Sequence, residues 1–254
     1  MFPIRDHNPS QKTPLVTYAL IAANVAVYLW MFPLFGDDRA LYAVFSVWGI
    51  VPRVADPVTY VTSMFIHGGF MHLAGNMLFL WIFGDNMEDE MGHAPFLGFY
   101  LLGGITAGVA QTLVDPSSPV PLVGASGAIA GVMGGYLLLF PRARVDVLFI
   151  FVIFFRIFPI PAWIVLGIWF AIQLFSGASV PTAQGGVAYW AHVGGFAAGL
   201  LMTLPLWLRR GGAGYWGQTS GRPPNPEATY VSVVSAIPRA GRGSSVPRAG
   251  RRRR

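Results

Sequence analysis

Apolar runs of about the length of a bilayer crossing recur along this chain, and no other feature limits its fold so strongly. A crossing helix needs ~20 predominantly apolar residues. Such runs fall at 15–35, 70–83, 95–113, 122–140, 162–175 and 185–207. The first is long for a secretory signal, and Phe35-Gly36-Asp37-Asp38 follows it instead of a small-residue cleavage site. Apolar residues make up 54% of the chain and charged residues 11%. A water-soluble surface needs more charge than that. The expected class is therefore an all-α membrane protein with six transmembrane helices.

One stretch resists assignment. Residues 145–155 are apolar but cover only about half a bilayer at ~1.5 Å per residue. Arg156 and Pro159-Ile160-Pro161 end it. A second full span here would make seven. A shallow interfacial segment makes six, and six is preferred. Residues 36–62 mix Asp37, Asp38, Arg39, Arg53 and Asp56 with Leu41, Tyr42, Phe45 and Trp48. They are too mixed to span and too apolar for a free loop. An ordered insert at the membrane surface with short helical pieces is expected.

Six spans put both termini on one side, together with Arg5, Lys12, Arg142, Arg144, Arg156 and every arginine from 209 onward. The opposite side holds Arg39 and Arg53. The positive-inside rule then makes both termini cytoplasmic. Three segments follow: a polar lead over 1–14, the helical domain over 15–208, and a Gly/Pro/Ser/Arg-rich tail over 209–254 for which disorder is expected. The net charge of +6 lies mainly in that tail, so it does not mark a nucleic-acid-binding fold. The tail reads either as a solvated retention signal, which is preferred, or as a patch attracted to anionic lipid at ~1 kcal/mol per basic residue. The chain has no cysteine, which excludes disulfides and thiolate catalysis.

Polar groups within spans are costly and functionally informative. Asn24, Gln111 and Gln173 read best as satisfied structural hydrogen bonds. Four others stand together. His72 and Asn76 are four apart on one face of the second span. Ser126 is about four residues into the fourth span and His192 about seven into the sixth. Both should lie some ~6–10 Å below the outer surface. Gly127, Gly131 and Gly134/Gly135 form a stripe on the fourth span, and Gly195 and Gly199 form one on the sixth. Small-residue stripes allow close helix contact. That approach would bring Ser126 Oγ within ~3 Å of a His192 nitrogen, the distance a proton transfer needs.

These residues resemble the rhomboid intramembrane serine proteases. The matching pieces are His67-x4-His72-x3-Asn76, Gly124-Ala125-Ser126-Gly127 and Ala191-His192-x-Gly194-Gly195, in that order on spans two, four and six. The connection Gly84-x3-Glu88-x3-Gly92-His93 is also similar. The resemblance covers residues 14–208. It implies a six-helix rhomboid-like bundle with a membrane-embedded first loop, which residues 36–62 would form. It further implies a Ser–His dyad, with Ser126 as nucleophile and His192 as general base, and an oxyanion met by Asn76, the Ser126 backbone N–H and His72. His67 would be structural, as would Gly127, Gly131, Gly195 and Gly199. Family members often carry an aromatic residue four after the serine, where this chain has Ala130.

The activity implied is cleavage of peptide bonds in or beside transmembrane helices of membrane-protein substrates. No metal or organic cofactor is implied, and the expected setting is a bacterial cytoplasmic membrane. A non-catalytic rhomboid-like protein that binds membrane clients is the alternative, although such proteins typically lack the Ser or the His. A channel or transporter would call for broken helices or acidic residues at the midplane, and none is evident in the spans.

Overall fold

The computed structural model describes residues 2–151, 154–180 and 186–223. Six principal helices run in the order expected: α1 (Leu15–Met31), α4 (Phe70–Met91), α5 (His93–Val114), α6 (Ser126–Leu139), α7 (Ala162–Ser179) and α8 (Tyr189–Arg209). Between α1 and α4 lie two shorter helices, α2 (Asp38–Trp48) and α3 (Thr59–Thr62). Four described helices are long and apolar enough to cross a membrane, beginning at Leu15, His93, Ala162 and Tyr189. The pair Thr59–Phe65 and Phe70–Met91, bent by 97°, adds a fifth if it is one span, and α6 is a shorter apolar helix.

The short helix α6 is the axis of the bundle. Its residues from Gly127 through Tyr136 are all buried. It packs most closely on α8, then on α5 and α4. The reason is steric. A methyl group on Gly199 would overlap the Gly131 carbonyl, and one on Gly195 would overlap the Gly127 carbonyl. Only hydrogen at these positions lets the two backbones meet, which is the means by which helices associate tightly where lipid offers no hydrophobic drive.

The entry of the chain into α1 is fixed from another helix. Pro14 precedes α1 and supplies no side-chain cap. The Glu88 carboxylate of α4 accepts from the Val16 and Thr17 backbone N–H groups and from the Thr17 hydroxyl, each at 2.8 Å. It thereby satisfies donors that a helix start leaves open. His93 Nδ1 lies 2.5 Å from the same carboxylate. Gly92 joins α4 to α5 directly, with φ of +82°, a conformation that favours glycine.

Three expectations need correction or completion. Residues 145–151 and 154–155 are extended and not helical. β2 (Arg144–Phe151) pairs antiparallel with β3 (Phe154–Pro161) in the register Arg144↔Pro161. A further strand from the lead, β1 (Phe2–Asp6), completes a three-stranded sheet in the order β1-β2-β3. The Val/Ile/Phe-rich composition favours extended backbone. Val145 and Val147 turn into the core, while Asp146 takes Arg5 at 2.6 Å and His7 at 2.8 Å. Burial acts to raise the Asp146 carboxyl, but the hydrogen bonds from His7 and Arg5 prevail and hold it below the ordinary range. The lead is therefore tied to the folded body.

Second, the tail is folded at its start. Helix α9 (Ala213–Thr219) places Trp216 Nε1 3.0 Å from the Leu138 carbonyl, which accepts its hydrogen. The Arg142 N–H donates to the Gly221 carbonyl at 2.8 Å. Buried Tyr215, with Trp216 against Trp207, supplies the apolar contact that a disordered segment lacks. The remainder of the expected disordered tail, 224–254, lies outside the described residues.

Third, α6 and α8 begin a turn later than the apolar runs imply. Leu122 is held extended by a bridge to Ile50, and Gly124 has φ of +121°. Ser126 is thus the first residue of α6, and His192 the fourth of α8. The insert over 36–62 forms helical pieces as expected, with the Asp37 side chain capping α2 by accepting from the Arg39 and Ala40 N–H groups.

Candidate active site

Helices α4, α6 and α8 start at the same end of the bundle, and their first turns line a cavity of about 500 Å³. His72, Gln111, Ser126 and His192 all face it. At its floor His192 Nε2 lies 2.8 Å from Ser126 Oγ. This is hydrogen-bond distance, and it is the geometry in which an imidazole can take a hydroxyl proton. The close α6–α8 contact made by the glycines sets that distance.

The approach to Ser126 is held by a second set of contacts. The Gly124 N–H donates to the Ser63 carbonyl at 2.9 Å. The Ala125 N–H points at His67 Nε2, 3.5 Å away. His67 is fully buried and meets His72 edge to face at 5.1 Å. It is thus placed beside the turn that presents the serine.

His72 and Asn76 lie over the same turn. A Cβ on Gly124 would come within 2.7 Å of the His72 ring and 3.9 Å of Asn76 Nδ2. Glycine is needed there twice over, for its backbone angle and for this clearance. One Asn76 amide hydrogen goes to the His72 carbonyl at 2.8 Å, and an amide carries two. The Ser126 N–H, at the first position of a helix, has no intrahelical acceptor. Donors from α4 and α6 therefore lie around the turn that leads into Ser126. Among the described residues no group of three or more His, Asp or Glu side chains is arranged to hold a metal ion.

Two neighbours of His192 were not legible as such. Gln173 of α7 places Oε1 2.8 Å from His192 Nδ1, and Trp169, one turn earlier, sets its ring 5.6 Å from the imidazole. In the sequence Gln173 is one polar residue in an apolar run, and its partner depends on how α7 packs on α8. Gln111 instead accepts the Ala191 N–H at 3.2 Å, a structural bond next to the histidine.

The Rhomboid domain family matches residues 55–209. The chain is 31% identical over 193 residues to Rhomboid protein 1, mitochondrial, of Saccharomyces cerevisiae, which covers 73% of this chain and 51% of that protein. It is 33% identical over 153 residues to Rhomboid protease GluP of Bacillus subtilis, 60% of this chain and 27% of that protein. It is 33% identical over 130 residues to Rhomboid-like protein 11, chloroplastic, of Arabidopsis thaliana, 50% of this chain and 43% of that protein. The chain spans about half or less of the length of these relatives. The match across the residues that carry α4 through α8, together with the apolar bundle, shows an integral membrane protein that belongs to the Rhomboid family.

Proposed function

We propose that this chain is an intramembrane serine endopeptidase acting by a Ser126–His192 dyad. The observation that carries the reading is the 2.8 Å contact between His192 Nε2 and Ser126 Oγ at the floor of an open cavity. The relatives named as rhomboid proteins, one of them as a rhomboid protease, support it.

His192 takes the hydroxyl proton as Ser126 Oγ attacks the scissile carbonyl. The oxyanion that forms is met by the Ser126 N–H, the free Asn76 amide hydrogen and the His72 ring. His192 returns the proton to the leaving amine, and an acyl group remains on Ser126. Water entering through the cavity, activated by His192, then hydrolyses the acyl-enzyme. A substrate helix shields its carbonyls by internal hydrogen bonds, so it must unwind locally to reach the serine.

In this reading α1, α4, α5, α6, α7 and α8 are six spans and α2–α3 form a membrane-embedded first loop. The cavity opens to the exterior, and the lead and tail lie in the cytoplasm of a bacterial cell. Partners are transmembrane protein substrates, with anionic lipid a candidate for the basic residues after 223.

The test is cleavage of a transmembrane substrate by purified protein in detergent micelles. Wild type is expected to turn over, and Ser126→Ala and His192→Ala are each expected to lose at least ~10³-fold in kcat. Turnover by Ser126→Ala at the wild-type rate would overturn the reading. Capture of the substrate by wild type without any cleavage would mark a client-binding protein instead.

A further inference from the structure

His192 serves as a base only if its ring is held in one tautomer. An imidazole works as a general base toward Ser126 only when Nε2 carries a lone pair, so Nδ1 must carry the proton. Among the described residues no carboxylate is hydrogen-bonded to His192. The acceptor at Nδ1 is the Gln173 amide, 2.8 Å away.

The orientation of that amide is itself fixed. Gln173 Nε2 donates to the Trp169 carbonyl at 3.3 Å. Turning the amide over would set its oxygen against that carbonyl oxygen and its NH₂ against His192. The bond to Trp169 therefore leaves Oε1 facing the imidazole, and an oxygen there accepts only from a protonated Nδ1. Gln173 is buried, so water does not compete strongly for the bond. The ring is held on a second side as well. Trp169 lies tilted by 36° beside the imidazole, whereas Ala130, one turn after Ser126, carries only a methyl group.

We infer that Gln173 is a positioning residue that fixes the Nδ1–H tautomer and the ring angle of His192, with Trp169 as the lateral support of the same ring. Both come from one turn of α7, so this helix orients a base that resides on α8. The inference rests on the protease reading and adds a third participant to it, a neutral amide in the place where a carboxylate serves in other serine enzymes.

The tautomer is read directly on wild-type protein in micelles labelled with ¹⁵N-histidine, with the His192 signal assigned by its loss in His192→Ala. The expected result is a neutral ring protonated at Nδ1. A ring protonated mainly at Nε2 would overturn the inference without any variant. Kinetics supply the second arm. Gln173→Leu is expected to lower kcat by about 10- to 100-fold with KM within about two-fold of wild type, and to mix the tautomers. Gln173→Glu keeps an acceptor oxygen. It is expected to restore kcat to within about five-fold and to move the acid limb of the pH–rate profile upward, which a purely structural role would not do. Wild-type kcat and an unchanged tautomer in Gln173→Leu, with Ser126→Ala inactive, would overturn the role of Gln173 and leave the dyad standing. Activity in Ser126→Ala would overturn the dyad itself.

Discussion

Gly124 shows how closely one residue is tied to the chemistry. Its φ of +121° and its contact with the His72 ring exclude any side chain. Gly124→Ala is expected to lower kcat by at least about 100-fold, because the turn before Ser126 must shift by a fraction of an ångström or more. A circular dichroism spectrum and Tm close to wild type would assign that loss to the site. Asn76→Ala removes a single oxyanion donor and is expected to cost ~10²–10³ in kcat with little change in KM. Steady-state kinetics on the same substrate check both. At this scale the sequence was informative. Ser126, His192, His72 and Asn76 are polar groups placed where polarity is costly, and each lines the cavity or lies over the serine turn. Gln173 carries the same kind of polarity, yet its significance depends on an α7–α8 contact that no spacing within α7 encodes.

Helices meet here on surfaces that tolerate little change. A branched residue at Gly199 would drive α8 away from the Gly131 carbonyl. Overpacking of this kind costs ~1–3 kcal/mol or more, so Gly199→Val is expected to lower Tm and to abolish cleavage by separating His192 from Ser126. Glu88 is buried and caps α1 from α4 through three bonds. Glu88→Ala is expected to destabilise by about 2–3 kcal/mol, measured by thermal unfolding in micelles. The principal helices were legible because apolar runs of bilayer length permit little else. The β2–β3 pairing was not, since residues 145–155 are apolar apart from Asp146, which suits either conformation, and the further partner β1 lies some 140 positions earlier in the chain. Helix α9 was hidden for a related reason: Tyr215 and Trp216 sit in a Gly-rich segment, and their value appears only once Leu138 and Trp207 are beside them.

Across the whole molecule the lead strand joins the sheet to the far end of the serine helix. The Tyr136 hydroxyl of α6 donates to Asp6 Oδ2 at 2.7 Å. Burial raises the Asp6 carboxyl to about 8, the nearby Asp85 adding to the rise and the Tyr136 hydrogen bond opposing it. A carboxyl whose value is higher when folded contributes stability that is complete below the ordinary carboxylate range. That contribution is lost as pH rises through about 8. Tm is therefore expected to fall between about pH 5 and pH 9, and Asp6→Asn is expected to flatten that slope. Comparing Asp6→Asn with wild type across that range isolates this one group. All of this scaffold bears on a single contact, the one between a serine on α6 and a histidine on α8. Labelling with a fluorophosphonate probe, located by peptide mass spectrometry, tests it most directly. Ser126 is expected to be modified in the wild-type protein and unmodified in His192→Ala. Equal labelling of Ser126 in both proteins, or none in the wild type, would contradict it.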